Sequence, residues 1–269
     1  MIPKIIHLCW LSGDAYPPLI QKCIDSWKKN LPGYEIWIWD TRRFDVNSVL
    51  WTKQAFEVRK YAFAADYIRL YALYHYGGIY LDSDVLVYKS FDDLLSLPYF
   101  IGEDYNHLFE PAIIGCESHA PWIGKVLDSY KDRPFVMEDG RYDMQTLPLV
   151  FRQELMYCYS FRLINSAMDF HDADGVINLF SCFYFNGRDY VGAVRSQDSY
   201  CSHCFHGSWA DPDGVTRRSL RKLFPRKLLN MYYYFRYKSV SLSHLQIPFA
   251  DRADLELYKF WKSDFVSFK

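Results

Sequence analysis

Two aspartates, Asp82 and Asp84, interrupt an apolar stretch of the chain, and their type and spacing indicate chemistry. Residues 79–81 and 85–87 are apolar or aromatic, and Ser83 separates the pair. In extended backbone, residues two apart point the same way, so the two carboxylates are expected to converge. Neighbouring anions are stable when they share a proton or bind a cation, and oxygen ligands suit Mg²⁺ or Mn²⁺. The pattern predicts a divalent metal site, with a plain turn at a strand end as the alternative.

A helix that leads into this strand is expected to position the pair. Apolar and aromatic residues recur at helical spacing through residues 61–76, and Gly77 and Gly78 follow where a helix needs a left-handed cap. Asp66 and Arg69 lie three residues apart, on one face of this helix. Their neighbours are apolar, so two interpretations stay open: a pair held against the sheet, or a surface salt bridge.

The string AxxADYxRxxxLxxxGGxYxDxD, over residues 62–84, resembles the DxD glycosyltransferases of the GT-A fold in family 32. This class includes initiating mannosyltransferase-like and capsule-type enzymes, and the clostridial toxin glucosyltransferases are related to it. The resemblance implies that Mn²⁺ or Mg²⁺ on Asp82 and Asp84 grips the diphosphate of a nucleotide sugar. It also implies that Asp66 and Arg69 hold the sugar hydroxyls and phosphate, so these four residues form the expected catalytic centre.

The start of the chain also matches the family, which opens with an IHxxWxG-like motif. By resemblance, Cys9 and Trp10 line the nucleoside pocket, Asp40 contributes from the end of the next strand, and Ser83 is a donor contact. Packing under a loop is the alternative for Trp10, and a turn start is the alternative for Asp40. Core packing is expected for His7.

A second cluster of metal-ligating residue types lies in residues 200–209, which read YCSHCFHGSW. Its two cysteines and two histidines indicate a zinc site when they are read alone, although strand alternation would send them to opposite faces. The family offers a second interpretation, a strand that ends in H-x-S-W. By resemblance, His206 completes the metal shell, and Ser208 and Trp209 form a lid over the diphosphate.

Apolar runs and helical patterns alternate along the 269 residues, as a mostly parallel sheet requires. The expected fold is an α/β fold of the GT-A, Rossmann-like type, with a mostly parallel sheet flanked by helices and a C-terminal helical extension. The catalytic domain is expected at residues 1–214 and the extension at 215–269. Strands are predicted at residues 4–8, 35–39, 79–81, 85–87, 99–102 and 112–116, and helices at 19–30, 61–76, 122–131 and 143–154. Residues 44–60 show no regular pattern.

Composition and charge narrow the partners and the compartment. The formal net charge of −1 gives no overall preference for nucleic acid, so no nucleic-acid partner is expected. The sequence shows no signal peptide and no spanning run, and its seven scattered cysteines are typical of buried free thiols in a reducing compartment. A cytoplasmic protein is expected. Residues 217–238 carry eight Arg or Lys and no acid, which predicts peripheral contact with an anionic membrane at its inner face, or else a solvated basic helix.

The leading functional hypothesis is a metal-dependent retaining glycosyltransferase. It would move a hexose from a nucleotide sugar, with UDP favoured, to a glycan or lipid-linked glycan acceptor, in the synthesis of a surface polysaccharide such as capsule or O-antigen. One alternative is a phosphatase of the haloacid dehalogenase type, with Asp82 as nucleophile and Asp84 as acid/base. That motif normally opens its domain, which counts against it here. The other alternative is a non-catalytic sugar-binding relative.

Overall fold

The computed structural model describes residues 1–104, 109–185 and 198–204, without the side chain of Phe183. The strands in these ranges are Ile5–Cys9 (β1), Glu35–Trp39 (β2), Gly78–Leu81 (β3), Val85–Val87 (β4), Tyr99–Glu103 (β5), Phe109–Cys116 (β6), Ser160–Ile164 (β7), Val176–Phe180 (β8) and Cys201–His203 (β9). The helices are Pro18–Asn30 (α1), Leu50–Glu57 (α2), Tyr61–Tyr76 (α3), Pro121–Asp128 (α4), Leu147–Leu155 (α5) and Cys182–Phe185 (α6), with 3₁₀ turns at Asp92–Leu94 and Ala167–Asp169.

Seven strands form one sheet in the order β2-β1-β3-β6-β5-β8-β7. β6 runs antiparallel to both of its neighbours, and the other neighbouring pairs are parallel. β4 and β9 pair antiparallel in a separate two-stranded sheet. This topology confirms the expected class, an α/β fold with a mostly parallel sheet flanked by helices.

The core lies on both faces of the sheet because successive strand residues point to opposite sides. On β3, Tyr80 packs into a cluster built mainly with α2, α3, α4 and α5, whereas Ile79 and Leu81 pack into a second cluster with α1 and β4. A sheet buried on both faces explains why its strands read as continuous apolar runs. A polar residue inside such an apolar run is therefore a candidate for a functional role.

The junction between α3 and β3 depends on two glycines. Gly77 and Gly78 have φ values of 64° and 101°, which L side chains rarely adopt. A Cβ atom on Gly77 would lie 2.7 Å from the backbone nitrogen of Ser118, and one on Gly78 would lie 2.8 Å from the carbonyl oxygen of Ile5. The prediction that the helix ends near Tyr76 at a glycine cap is confirmed.

His7 ties this junction to two strands. Its Nε2 donates a hydrogen bond to the carbonyl of Gly77 at 2.7 Å, and the indole N–H of Trp39 donates to its Nδ1 at 3.1 Å. The side chain is fully buried, which confirms its predicted core role. Burial lowers the pKa of His7 to about 4, so the ring is neutral in the folded protein near pH 7.

Several local predictions were wrong. Residues 44–60 contain a helix, α2, whose buried Trp51 and Ala55 lie four residues apart. The helix predicted from residue 143 begins at Leu147, because Pro148 fits the first turn of a helix. The sequence reading also missed β7 and β8.

The seven cysteines are free thiols, but they are not all buried. Cys9, Cys23 and Cys116 are buried as expected. Cys158 is exposed because it lies in the turn after α5, and Cys182 is half-buried, so the prediction of burial was wrong for both.

Among the described helices, none is both long and apolar enough to cross a bilayer. The predicted domain boundary after residue 214 and the basic segment at residues 217–238 lie outside the described residues.

The buried imidazole of His7 predicts a specific dependence of stability on pH. The unfolded chain takes up a proton at this residue near pH 6.5, whereas the folded protein resists protonation down to about pH 4. A contribution to stability on the order of 3 kcal/mol should therefore be present above pH 6.5 and be lost as the pH falls to about 4. Urea unfolding of His7→Gln from pH 7 to pH 4 should lack this component.

The matched control is His171→Gln at an exposed histidine. This variant should keep the pH dependence of the unmodified protein. A His7→Gln profile that parallels the unmodified one would show that another group is responsible for the acid sensitivity.

Candidate functional site

Asp82 and Asp84 lie in a tight turn between β3 and β4, not in an extended strand. The backbone nitrogen of Val85 donates to the carbonyl of Asp82 at 3.0 Å and closes this turn. The predicted strand geometry was therefore wrong, and the alternative of a turn at the strand end describes the backbone. The turn still brings the two carboxylates together: one ligand atom each from Asp82, Asp84 and His203 lie within 4.8 Å of one another.

His203 reaches this turn because β9 pairs with β4, with His203 opposite Val85. The backbone nitrogen of Cys204 also donates to the carbonyl of Asp84 at 2.8 Å, so the end of β9 is held directly on the turn. The sequence placed His203 only in the alternative zinc interpretation and not beside Asp82 and Asp84, because pairing between strands more than 100 residues apart has no local signal. His206, Ser208 and Trp209, which it did assign, lie outside the described residues.

The cysteines beside His203 do not join it at the turn. Among the described residues, the group with metal-ligand spacing consists of Asp82, Asp84 and His203 and contains no cysteine. The thiol of Cys201 instead donates to the carbonyl of Phe185 at 3.4 Å. The described part of the strand therefore gives no cysteine ligand for the zinc interpretation.

The imidazole of His203 lies between two carboxylates. Its Nε2 is 3.3 Å from Oδ1 of Asp84, and its Nδ1 is 3.2 Å from Oε1 of Glu110. Burial disfavours the charged ring, but Glu110 and Asp84 outweigh that cost and raise the pKa of His203 well above its usual value. The two carboxylates therefore favour the protonated ring.

Arg69 forms the second charged group of the site. Its Nη2 lies 3.3 Å from Oδ1 of Asp66 and 3.0 Å from Oδ1 of Asp82, and its Nη1 donates to the carbonyl of Pro111 at 2.6 Å. The guanidinium also lies over the ring of Tyr80, 4.4 Å from its centroid. The side chains of Arg69 and Asp66 are 6% and 11% exposed, so the pair is held inside the fold and is not a surface salt bridge.

Burial affects the two aspartates on Arg69 in the same direction. It raises the pKa of Asp66 to about 7 and also raises the pKa of Asp82, while the Arg69 cation opposes both shifts. The hydroxyl of Tyr80 donates to Oδ1 of Asp82 at 3.1 Å, the same oxygen that Arg69 contacts. Arg69 and Tyr80 thus fix the orientation of the Asp82 carboxylate.

An irregular segment of β6 supports both halves of the site. The pairing of β5 with β6 shifts register, since Ile101 lies opposite Ile114 but Gly102 lies opposite Glu110. We call residues 110–112 the β6 bulge. Its Pro111 carbonyl accepts from Arg69, and its Ala112 carbonyl accepts from the backbone nitrogen of Asp82 at 2.9 Å. A proline inside an apolar strand pattern is a sequence signal for such a bulge, and the sequence reading did not use it.

The predicted nucleoside-pocket residues lie at the ends of strands near this edge of the sheet. Cys9 is buried at the end of β1, and the charges of Asp82 and Arg69 act on its thiol. Asp40 follows β2, and its carboxylate accepts hydrogen bonds from the backbone nitrogens of Arg42 and Arg43 and thus forms a turn.

Trp10 and Ser83 complete the predicted donor set. The indole N–H of Trp10 donates to the carbonyl of Asp14 at 2.8 Å, and its ring packs edge-on against Tyr16 at 4.9 Å. Packing with the loop, the alternative stated for Trp10, is what the structure shows. Ser83 lies half-buried in the turn between the two aspartates.

The donor set of the turn fits a hard divalent cation. Two carboxylates and one imidazole within 4.8 Å are suitable ligands for Mn²⁺ or Mg²⁺. Four carboxylates, those of Asp66, Asp82, Asp84 and Glu110, share this region with the side chains of Arg69 and His203. Carboxylates crowded in this way favour the binding of a cation.

Removal of Arg69 should leave two carboxylates buried without their cation. Arg69→Met should reduce the free energy of unfolding by about 3–5 kcal/mol at pH 8. The loss should be smaller at pH 5, because Asp66, with a pKa of about 7, is protonated there. Urea denaturation at both pH values measures the effect.

Arg42→Met is the matched control, because the Arg42 side chain is 90% exposed in its ion pair with Asp40. It should change stability by about 1 kcal/mol or less. Equal losses in the free energy of unfolding of the two variants would show that the buried Arg69 network contributes no more to stability than an exposed ion pair.

Comparison with known proteins matches the part of the chain that carries the aspartates and the arginine of this site. Residues 17–101 match the family described as "Glycosyltransferase sugar-binding region containing DXD motif". This stretch contains Asp66, Arg69, Asp82 and Asp84, and the resemblance expected from the sequence is confirmed.

Curated relatives match between 28% and 49% of the chain. A mannosyl phosphorylinositol ceramide synthase of Saccharomyces cerevisiae is 31% identical over 138 residues, covering 49% of this chain and 36% of the relative. Inositol phosphoceramide mannosyltransferase 3 of Schizosaccharomyces pombe is 34% identical over 133 residues, covering 47% and 36%. Glucan organizing enzyme 1 of Cryptococcus neoformans is 49% identical over 84 residues, covering 28% and 23%. The chain thus spans about a third, or less, of the length of these relatives.

Among solved structures, PaToxG Glycosyltransferase aligns with a TM-score of 0.43 and 22% sequence identity. The alignment covers 58% of this chain and 68% of that chain.

Proposed function

We propose, from the DXD sugar-binding region carried by residues 17–101, that the protein is a glycosyltransferase that moves a hexose from a nucleotide sugar to a glycan or lipid-linked glycan acceptor. The observation that carries this proposal is the convergence of ligand atoms of Asp82 and Asp84, from that region, with one of His203, within 4.8 Å of one another. These three side chains would hold Mn²⁺ or Mg²⁺; His206, the ligand that the family resemblance implies, lies outside the described residues.

A divalent cation bound there supplies positive charge to the leaving diphosphate. The residues of the chain prepare the site for it. Arg69 and Tyr80 fix Oδ1 of Asp82, and the backbone bond from Cys204 to Asp84 fixes the other end of the turn. Such preorganisation is what electrostatic catalysis requires, because the charges need not reorganise during the reaction.

Asp66 and Arg69 are proposed to contact the donor sugar and its phosphate. Arg69 contacts Oδ1 of Asp66 at 3.3 Å, and Oδ2 is the oxygen proposed to accept from a sugar hydroxyl. Retention of the anomeric configuration by same-face attack within an ion pair is the proposed course. It requires no strong general base, because the departing phosphate takes the proton of the acceptor.

The relatives' names guide the choice of sugar and acceptor. One is named a mannosyl phosphorylinositol ceramide synthase and another an inositol phosphoceramide mannosyltransferase. A mannose donor is therefore the first to test beside the UDP-sugars. A surface polysaccharide such as capsule or O-antigen is the setting that we propose from the family resemblance. A cytoplasmic location, with peripheral membrane contact through residues 217–238, is part of the same proposal. The comparisons give no support to the phosphatase alternative.

The proposal predicts metal-dependent turnover of one donor class. In a hydrolysis assay with a panel of UDP- and GDP-hexoses and Mn²⁺, one donor should release its nucleoside diphosphate, and chelation of the metal should stop the release. Asp84→Asn should reduce this rate by at least about 100-fold, because it removes an anionic ligand and charge at the leaving group.

Asp25→Asn provides the control, since Asp25 is exposed on α1 and hydrogen-bonds to Gln21. It should keep the full rate. The proposal fails if no donor in the panel is hydrolysed, or if Asp84→Asn retains the rate of the unmodified protein.

A further inference from the structure

Glu110 is a buried carboxylate behind the proposed metal ligands. It lies on β6 with 3% of its surface exposed, in the otherwise apolar segment FEPAIIGC. Its Oε1 lies 3.2 Å from Nδ1 of His203 and accepts from the backbone nitrogen of Ala112 at 3.3 Å. Burial of a carboxylate is costly unless it is paired, so its place beside His203 requires an explanation.

The two nitrogens of His203 face different partners. Nδ1 faces Glu110, and Nε2 faces Asp84 at 3.3 Å. Both partners are carboxylates, which only accept, so either ring nitrogen can donate. When Nε2 gives up its proton to bind a cation beside Asp82 and Asp84, Nδ1 keeps its proton in the hydrogen bond to Glu110.

We propose that Glu110 is a positioning residue that holds the tautomer and orientation of His203 and thereby sets the affinity of the metal site. The inference rests on the proposed function of that site. Glu110 is not a member of the group of ligand atoms that lie within 4.8 Å of one another, so it acts through His203. Carboxylates that accept from the second nitrogen of a metal-bound histidine commonly play this part.

The β6 bulge explains how Glu110 reaches this position. The same three residues contact His203 through Glu110, Arg69 through the Pro111 carbonyl, and Asp82 through the Ala112 carbonyl. One short segment of backbone therefore sets the distance between the histidine and the aspartate of the site. A rigid strand is a suitable support, because metal ligands must be held within a fraction of an ångström.

The test is the affinity of the full chain for Mn²⁺ alone, measured from the electron paramagnetic resonance signal of the free ion. Glu110→Ala should raise the dissociation constant by about 10–100-fold. Glu110→Gln should raise it by only a few-fold, because its amide oxygen still accepts from Nδ1. Glu103→Gln, at another buried carboxylate on the neighbouring strand β5, is the control and should bind as the unmodified protein does.

A second readout separates positioning from a general structural role. In the Mg²⁺-loaded protein, long-range ¹H–¹⁵N spectra should show His203 with its proton on Nδ1, and Glu110→Gln should preserve this tautomer. Glu110→Ala should show a mixture of the two tautomers. If Glu110→Ala does not fold, the Glu110→Gln spectrum and affinity still decide the question.

The outcomes distinguish this inference from the proposed function. Unchanged Mn²⁺ affinity in Glu110→Ala, with binding lost in His203→Ala, would overturn the positioning role and leave the metal site intact. A loss in Glu110→Gln as large as that in Asp84→Asn would make Glu110 a direct ligand and also overturn it. Failure of the unmodified protein to bind Mn²⁺, or full binding in His203→Ala, would refute the three-residue site itself.

Discussion

The buried guanidinium of Arg69 is the interaction on which the arrangement of the site depends. It joins Asp66 on its own helix, Asp82 in the turn after β3, and the carbonyl of Pro111 on β6. Three elements that are separate in the sequence thus share one cation. The desolvation cost of a buried cation is offset only when its carboxylate and carbonyl partners lie at hydrogen-bonding distance. The rotation of α3 against the sheet is therefore narrowly constrained.

The same constraint explains why the sheet is irregular where it meets the site. A regular β6 would direct its carbonyls alternately into the ladders with β3 and β5. The register shift turns the Pro111 carbonyl out of the ladder, and proline has no N–H that would need a partner there. The hydrogen bond from Arg69 to the Pro111 carbonyl therefore stabilises the irregular backbone of β6.

Local sequence signals predicted much of this fold but only half of the candidate site. Helical periodicity and glycines with positive φ located α3 and its end, and two aspartates in an apolar run located the turn. The contributions of His203 and Glu110 were not predictable in this way. They depend on the pairing of β4 with β9 and on the β6 bulge, which join residues far apart in the chain. The extended geometry expected for Asp82 and Asp84 was wrong, because the chain turns between β3 and β4 at these residues. The turn also brings the two carboxylates together.

The metal ligands therefore come from elements of unequal stability. β4 and β9 have three residues each, and a two-stranded sheet of that size is marginal by itself. Helix α1 compensates from the other side: the indole N–H of Trp27 donates to Val85 at 2.7 Å, and the hydroxyl of Ser26 and the amide of Asn30 bond to Val87. β4 is thus fixed to the body of the fold, and β9 is held by its pairing with β4, by the bond from Cys201 to Phe185 and by the contacts of His203. A cation that binds Asp82, Asp84 and His203 together would also stabilise the docking of β9, since a ligand stabilises whichever state binds it. Metal affinity in this protein should consequently measure how firmly β9 is docked as well as the quality of the ligands.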